Sequence, residues 1–307
     1  MPPRKDNTNK YKRIALIVLC AVFLLCGTMY YYLKDASTAP GFRSVVSDYE
    51  AYGMEVHFLD VEQGDCTLLL CGEYAVLIDA GEAQYGRTVT DYLLRHGVEK
   101  VDLLVATHRH SDHIGGLVYV LENMSVSQIL LNASDENADT DTQSEELFLN
   151  AVRANGAPVQ IAQNGMTFSF AEMDLTVLSF EQDTSDENER SLVLRADYGE
   201  TSVLLTGDIG EYTEQHLLER DVDLDCDILK VAHHGSNYSG SDDFLAAVTP
   251  SYAVISCGKN NLYGHPGVQA LERLNEHRST VYRTDIMNGI VIICEKQYVY
   301  SIDTGKE

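Results

Sequence analysis

Ten residues constrain this chain more than any others: Thr107-His108-Arg109-His110-Ser111-Asp112-His113-Ile114-Gly115-Gly116. They follow DLLVAT (102–107), a compact apolar run that reads as a buried strand, and they lead into a helix placed near 114–123. A strand that ends this way delivers its ligand-type side chains to one point at the edge of a sheet. His108 and His110 can then reach one metal ion, while Asp112 and His113 reach a second. Imidazole and carboxylate donors suit Zn²⁺ and also Mn²⁺ or Fe²⁺. A polar loop that gathered these four side chains by chance would be rare.

Two later segments complete a candidate site. Asp208 ends TSVLLTGD (201–208), where its carboxylate could bridge two ions; an Asx turn or a helix N-cap ahead of 211–219 is the structural alternative. His233-His234-Gly235-Ser236 follows DILKVA (227–232) in the same strand-to-loop manner. Adjacent side chains point apart, so one histidine binds metal and the other meets substrate, and the sequence does not choose between them. His265, in YGHP (263–266), opens a helix placed at 266–277 and is equally a turn residue or a member of the site. Lys230 and Ser236 are candidate phosphate contacts, set against readings as a surface lysine and a turn serine. Asp65 and Asp79 stand at strand ends, where they would orient ligand histidines or simply close turns.

Strand-like and helix-like stretches alternate from Met54 to about residue 303. MEVHFLDV (54–61), DCTLLLC (65–71), YAVLID (74–79), DLLVAT and QILLN (128–132) are strands of a first half, with helices at 87–96, 114–123 and 143–154. MTFSF (166–170), LTVLSF (175–180), SLVLRADY (191–198), TSVLLTGD, DILKVA and AVISC (253–257) belong to a second, with helices near 211–219, 241–247 and 266–277 and three closing strands. Two such halves suggest two sheets packed face to face with helices outside. With no linker inside 54–303, a single domain covering 54–307 is expected.

The N-terminus reads differently. Ile14–Leu33 is uncharged for twenty residues, long enough to span roughly 30 Å of bilayer core. Five basic residues precede it and Tyr30-Tyr31-Tyr32 closes it, so a basic cytoplasmic tail (1–13), a transmembrane anchor (14–33) and a tether (34–53) are expected, with the rest outside the cell membrane. A signal peptide cut after Ala39 is the alternative, disfavoured because Pro40 would follow the cut. The first 35 residues hold six basic and two acidic side chains, so the remainder carries a charge of −29 against −25 for the whole chain. That excess opposes binding of duplex nucleic acid through a broad basic surface. Of seven cysteines, Cys20 and Cys26 lie in the span; the other five sit in apolar runs and read as buried thiols, with no disulfide framework.

FLDVEQGDCTLLL (58–70), LIDAG (77–81), THRHSDHIGGL (107–117), NERSLVLRADYG (188–199), LLTGDIG (204–210), LKVAHHGS (229–236), YGHP and YRTD (282–285) resemble, in order, the extracytoplasmic domain of ComEC-type competence proteins within the metallo-β-lactamase superfamily. The resemblance implies an α/β four-layer αββα sandwich and a hydrolase site for one or two divalent ions, Zn²⁺ or Mn²⁺. It carries over as functional, metal-site positions His108, His110, Asp112, His113, Asp208 and the His233/His234 pair. In a metal-activated-water reading, Asp112 and Asp208 would orient the nucleophile, and one of His233 or His234 would stabilise the transition state or protonate the leaving oxygen. Two departures stand out. No histidine lies between His113 and Asp208, where the wider superfamily has another ligand, and Asn188 stands near that place. Full-length competence proteins also carry a multi-helix channel, which one span cannot form.

The expected activity is that of an exported, membrane-anchored phosphodiesterase or nuclease-type hydrolase. Bound ions would lower the pKa of a water towards roughly 7. Single-stranded DNA is the substrate that the resemblance suggests, with a link to DNA uptake. The alternatives are a phosphoester hydrolase of cell-envelope polymers or small metabolites, and a non-catalytic module beside a separate channel or envelope partner.

Overall fold

The computed structural model describes residues 53–132, 143–179, 184–220 and 222–305. The expected tail, anchor and nearly all of the tether lie outside the described residues, as do the acidic segment 135–141 and part of the acidic loop 181–189. Among the described residues no helix is long and apolar enough to cross a membrane.

The strands are β1 (Met54–Phe58), β2 (Thr67–Cys71), β3 (Tyr74–Ile78), β4 (Lys100–Val101), β5 (Leu103–Val105), β6 (Ser125–Val126), β7 (Ile129–Leu131), β8 (Val159–Ile161), β9 (Thr167–Phe170), β10 (Met173–Ser179), β11 (Val193–Tyr198), β12 (Thr201–Leu205), β13 (Ile228–Lys230), β14 (Tyr252–Ile255), β15 (Thr280–Arg283), β16 (Ile290–Cys294) and β17 (Val299–Thr304). The helices are α1 (Gly86–Arg95), α2 (Ser111–Asn123), α3 (Gln143–Asn155), α4 (Glu211–Glu219), α5 (Asp242–Val248), α6 (Val268–Glu276) and the single turn α7 (Thr284–Met287). Two mixed sheets result, ordered β17-β16-β1-β2-β3-β5-β7-β8 and β15-β14-β13-β12-β11-β10-β9, beside a small β4-β6 pair.

Alternation along each strand decides which face it buries. In β3, Val76 and Ile78 join Leu103 and Val105 of β5 and Val203 and Leu205 of β12 in one core between the sheets. Ala75, Leu77 and Leu104 point the other way, into a second core with Val89 and Leu93 of α1, Leu117 and Val120 of α2, and Phe148 of α3. Leu204, Ala253 and Ile255 do the same on the second sheet, packing with Leu217 of α4, Phe244 and Leu245 of α5, and Leu274 of α6. A slip of one residue would exchange these faces, so three apolar layers fix the register.

The division into halves needs one correction. β16 and β17 return to the first sheet, where Met54 pairs with Cys294 and Phe58 with Ile290. Only β15 of the three closing strands extends the second sheet, parallel to β14. All five described cysteines are free and buried.

Candidate metal centre

Parallel strands deliver the site residues at their carboxyl ends, the usual ligand position in such sheets. β3 leads into Asp79 and β5 into Thr107 and His108; in the second sheet β12 leads into Asp208 and β13 into His233 and His234. Helix α2 begins at Ser111, inside the motif and earlier than the sequence predicts, because His110 has extended backbone and its carbonyl accepts from His113 N and Ile114 N at 3.1 Å each. Asp112 and His113 therefore ride on the first helical turn. Gly116 permits this: a Cβ there would stand 2.0 Å from the Ala80 carbonyl oxygen. The helix can then press onto the loop after β3, with Gly116 N donating to Gly81 O at 2.8 Å.

Hydrogen bonds outside the cluster fix the tautomer of each buried ligand-type imidazole. His113 Nδ1 donates to Asp79 Oδ2 at 2.8 Å, and the same carboxylate accepts Thr107 Oγ1 at 2.7 Å and Thr107 N at 2.9 Å. With its proton committed to Asp79, Thr107 Oγ1 can only accept from His108 Nδ1, 3.2 Å away, where Ser191 Oγ also lies at 3.2 Å. His234 Nδ1 donates to the Ser256 carbonyl at 3.0 Å and lies 3.3 Å from Asp65 Oδ1. Once neutral, all three rings turn an Nε2 lone pair inward.

Those nitrogens surround Asp208. Its Oδ2 lies 3.4 Å from His113 Nε2, 3.4 Å from His234 Nε2 and 3.9 Å from His108 Nε2. Asp112 Oδ2 lies 3.3 Å from His234 Nε2. His110, exposed at the helix start, places Nδ1 3.1 Å from His108 Nε2, within hydrogen-bond distance, and stands beside the donor groups rather than in them. Donor atoms from His108, His113 and Asp208, and again from Asp112, His113 and His234, lie within 4.8 Å of one another. His113 Nε2, His234 Nε2 and Asp208 Oδ1 are buried and have no hydrogen-bond partner. A buried polar atom left unpaired costs roughly 1–3 kcal/mol, so three together mark a place built for a cation. The nitrogen-and-oxygen donor set fits a Zn²⁺- or Mn²⁺-type ion.

The electrostatics agree. Burial would lower His113 and His234, yet Asp208, together with Asp79 for His113 and Asp112 for His234, holds both well above the ordinary imidazole range. Burial would raise Asp208 and Asp112, but the His234 and His113 imidazoles hold both below the usual carboxylate range. His108 is pushed well down by burial, assisted by His113. A dication would neutralise the same carboxylates that raise these two imidazoles.

The adjacent histidines are resolved by strain. His233 (φ 50°, ψ 47°) and His234 (φ 53°, ψ 25°) are both left-handed, as is Asp79 (φ 56°). Such backbone costs on the order of 1–3 kcal/mol per non-glycine residue and collects at functional sites. The double turn sends His234 into the cluster and leaves His233 half-buried, 5.5 Å between ring centroids from His265. His265 precedes helix α6 in a turn rather than starting it, and its ring is stacked 6.2 Å from that of His234.

The three secondary candidates are placed as follows. Lys230 is buried, not at the surface; its ammonium pairs with Asp65 Oδ2 at 2.7 Å and donates to Val231 O at 3.0 Å, so it braces Asp65 and is not placed to meet phosphate. Ser236 is buried too, its Oγ accepting from Tyr238 N at 3.2 Å within a turn. Asn188 caps a turn through its carbonyl, which accepts Ser191 N at 2.9 Å, while its Oδ1 is buried without a partner. Sequence reading missed Thr107 and Ser191. Ser191 Oγ accepts Asp208 N at 3.0 Å besides approaching His108, and no residue pattern announces that role.

Residues 59–259 match the metallo-beta-lactamase superfamily. The chain is 31% identical over 270 residues to ComE operon protein 3 of Bacillus subtilis, covering 82% of this chain and 34% of that protein. It is 30% identical over 233 residues to competence protein ComA of Neisseria gonorrhoeae, covering 75% of this chain and 31% of that protein. It therefore spans about a third of the length of these curated relatives. The metallo-beta-lactamase fold protein YhfI from Bacillus subtilis is similar in fold, with a TM-score of 0.51 at 14% identity over 81% of this chain and 99% of that one.

Proposed function

The chain belongs to the metallo-beta-lactamase superfamily, is related to ComEC-type competence proteins, and, we propose, is a metal-dependent phosphodiesterase of nuclease type. The observation that carries this reading is the gathering of largely buried donor atoms: those of His108, His113 and Asp208 lie within 4.8 Å of one another, as do those of Asp112, His113 and His234. The donor groups of His108, His113 and Asp208 and of Asp112, His113 and His234 are the residues that would hold one or two divalent ions, with His110 beside His108. When bound, such ions supply an activated water and neutralise charge on a phosphoryl group.

The chain's own residues do the rest. Asp79, Ser256 and the Thr107–Ser191 hydroxyl pair keep three imidazoles turned inward. Asp65, braced by Lys230, supports His234 from behind. Asp112, partly exposed, orients the attacking water, and half-buried His233 hydrogen-bonds the leaving oxygen from the open side. Ile14–Leu33 would anchor the chain in the cell membrane with this domain outside the cell membrane, where a role in DNA uptake would place it beside a channel. The net charge of −25 favours short or single-stranded diesters over duplex.

The test is hydrolysis of a chromogenic phosphodiester and of labelled single-stranded DNA by the full chain in detergent, loaded with Mn²⁺ or Zn²⁺. Cleavage of both, lost in Asp112→Ala and Asp208→Ala, is expected. Cleavage of the diester alone would redirect the substrate to envelope polymers. Cleavage of neither by a metal-loaded chain would overturn the reading.

A further inference from the structure

One loop at the mouth of the centre has no part in holding metal. Residues 258–265 are fastened to the opposite loop, Gly258 N donating to Gln63 Oε1 at 3.2 Å and Lys259 N to Glu62 Oε2 at 3.0 Å. Asn261 pins the loop internally. Its Oδ1 accepts Tyr263 N at 3.1 Å and His265 N at 3.0 Å, and its Nδ2 donates to Gly258 O and His265 O. A turn held this tightly has its side-chain directions fixed. Yet it presents Leu262 fully exposed and Tyr263 72% exposed.

Tyr263 is half of a stack. Its ring lies 5.8 Å from His265 at 23°, and His265 lies 6.2 Å from His234 at 28°. A ladder of near-parallel rings thus leads from a candidate metal donor outward to a largely exposed tyrosine. His233 stands edge-on to His265, beside the ladder. Preorganised aromatic faces in solvent are costly to leave uncovered and well suited to a flat π-system.

We infer that Tyr263, backed by His265, is a stacking subsite for an unpaired nucleobase next to the scissile phosphodiester. The inference rests on the phosphodiesterase reading and names its substrate class: single-stranded or dinucleotide diesters. A base inside a duplex has no free face to offer, and stacking needs no broad basic surface.

The experiment measures binding, not turnover. The Mn²⁺-loaded full chain in detergent is titrated calorimetrically with a hydrolysis-resistant dithymidine phosphorothioate and with an abasic analogue of equal charge. The base-bearing probe should bind at least about 5-fold tighter. Tyr263→Ala should erase that ratio with the abasic affinity unchanged, and Tyr263→Phe should keep it. Equal binding of the two probes by the unmodified chain, or a ratio that survives Tyr263→Ala, would overturn the subsite and leave the phosphodiesterase reading standing. So would a glycerol-linked diester that binds as tightly as the dinucleotide and is weakened by Tyr263→Ala, which would assign the ring to a polyol. Failure of the abasic probe itself to bind a metal-loaded chain would bring down both.

Discussion

Replacing Asp79 by Asn changes almost no volume and inverts the hydrogen-bond logic of the centre. The carboxylate accepts three bonds, from Thr107 N, Thr107 Oγ1 and His113 Nδ1. An amide keeps one acceptor, enough for Thr107 N, and turns an NH₂ towards His113 Nδ1–H, donor against donor. His113 then relieves the conflict by moving its proton to Nε2, the atom that faces Asp208. Loss of an outer partner of a ligand histidine weakens metal binding by about 10–100-fold, equivalent to about 1.4–2.7 kcal/mol. Because His113 is wholly buried and shared by both groups, the upper end is expected. Thr107→Val removes one hydroxyl from Asp79 and leaves the His113 bond intact, so its loss should stay near the lower end. Competition with a fluorescent chelator for Mn²⁺ or Zn²⁺, on the full chain in detergent at fixed pH, reads the affinity; circular dichroism checks the fold. A folded Asp79→Asn chain with unchanged metal affinity would refute the tautomer argument.

Two further outcomes follow from the same contacts. Lys230→Met strips the partner from buried Asp65. It should cost about 3–5 kcal/mol in urea unfolding, as one-sided breakage of a buried pair does, with much of the loss recovered in the Asp65→Asn/Lys230→Met double variant. The metal-free chain should also change with pH in a set direction. His113 and His234 lie well above the ordinary imidazole value when folded, so their contribution to stability is fully present below about pH 6.5 and is lost as pH rises through their raised values. Metal competes for the same lone pairs. Affinity should therefore rise with pH, and calorimetry in buffers of different ionisation enthalpy should register proton release on binding; uptake or no release would contradict the raised values of His113 and His234.

Much of this was legible in the residues, and what was not has identifiable causes. β2, β3, β11 and β12 alternate between two apolar faces, so both the strands and the sandwich could be read from the chain. Their expected ends ran too far: Thr206-Gly207-Asp208 directly follows the apolar run of β12 but leaves the sheet to build the site. The pairing of β16 with β1 was hidden because it joins opposite ends of the domain, and local pattern carries no trace of such a partner. The choice of His234 over His233 depended on two successive left-handed residues, a backbone state uncommon outside glycine that the residue pattern does not announce. Lys230 offered a missed clue, since a lysine inside DILKVA has apolar neighbours on both sides and must be paired if it is buried. Asp79 and Asp65 were read as possible orienters of ligand histidines, and the structure puts each beside one.

Metal content is the most direct test of whether this buried histidine–aspartate cluster is a cation site. The full chain, purified in detergent after exposure to Mn²⁺ or Zn²⁺ and then desalted, would be assayed by elemental analysis beside His113→Ala and Asp208→Ala, with circular dichroism confirming that all three are folded. One or two ions retained per chain, and lost in both variants, is the predicted result. A folded parent chain that retains no metal, or variants that retain as much as the parent, would contradict it.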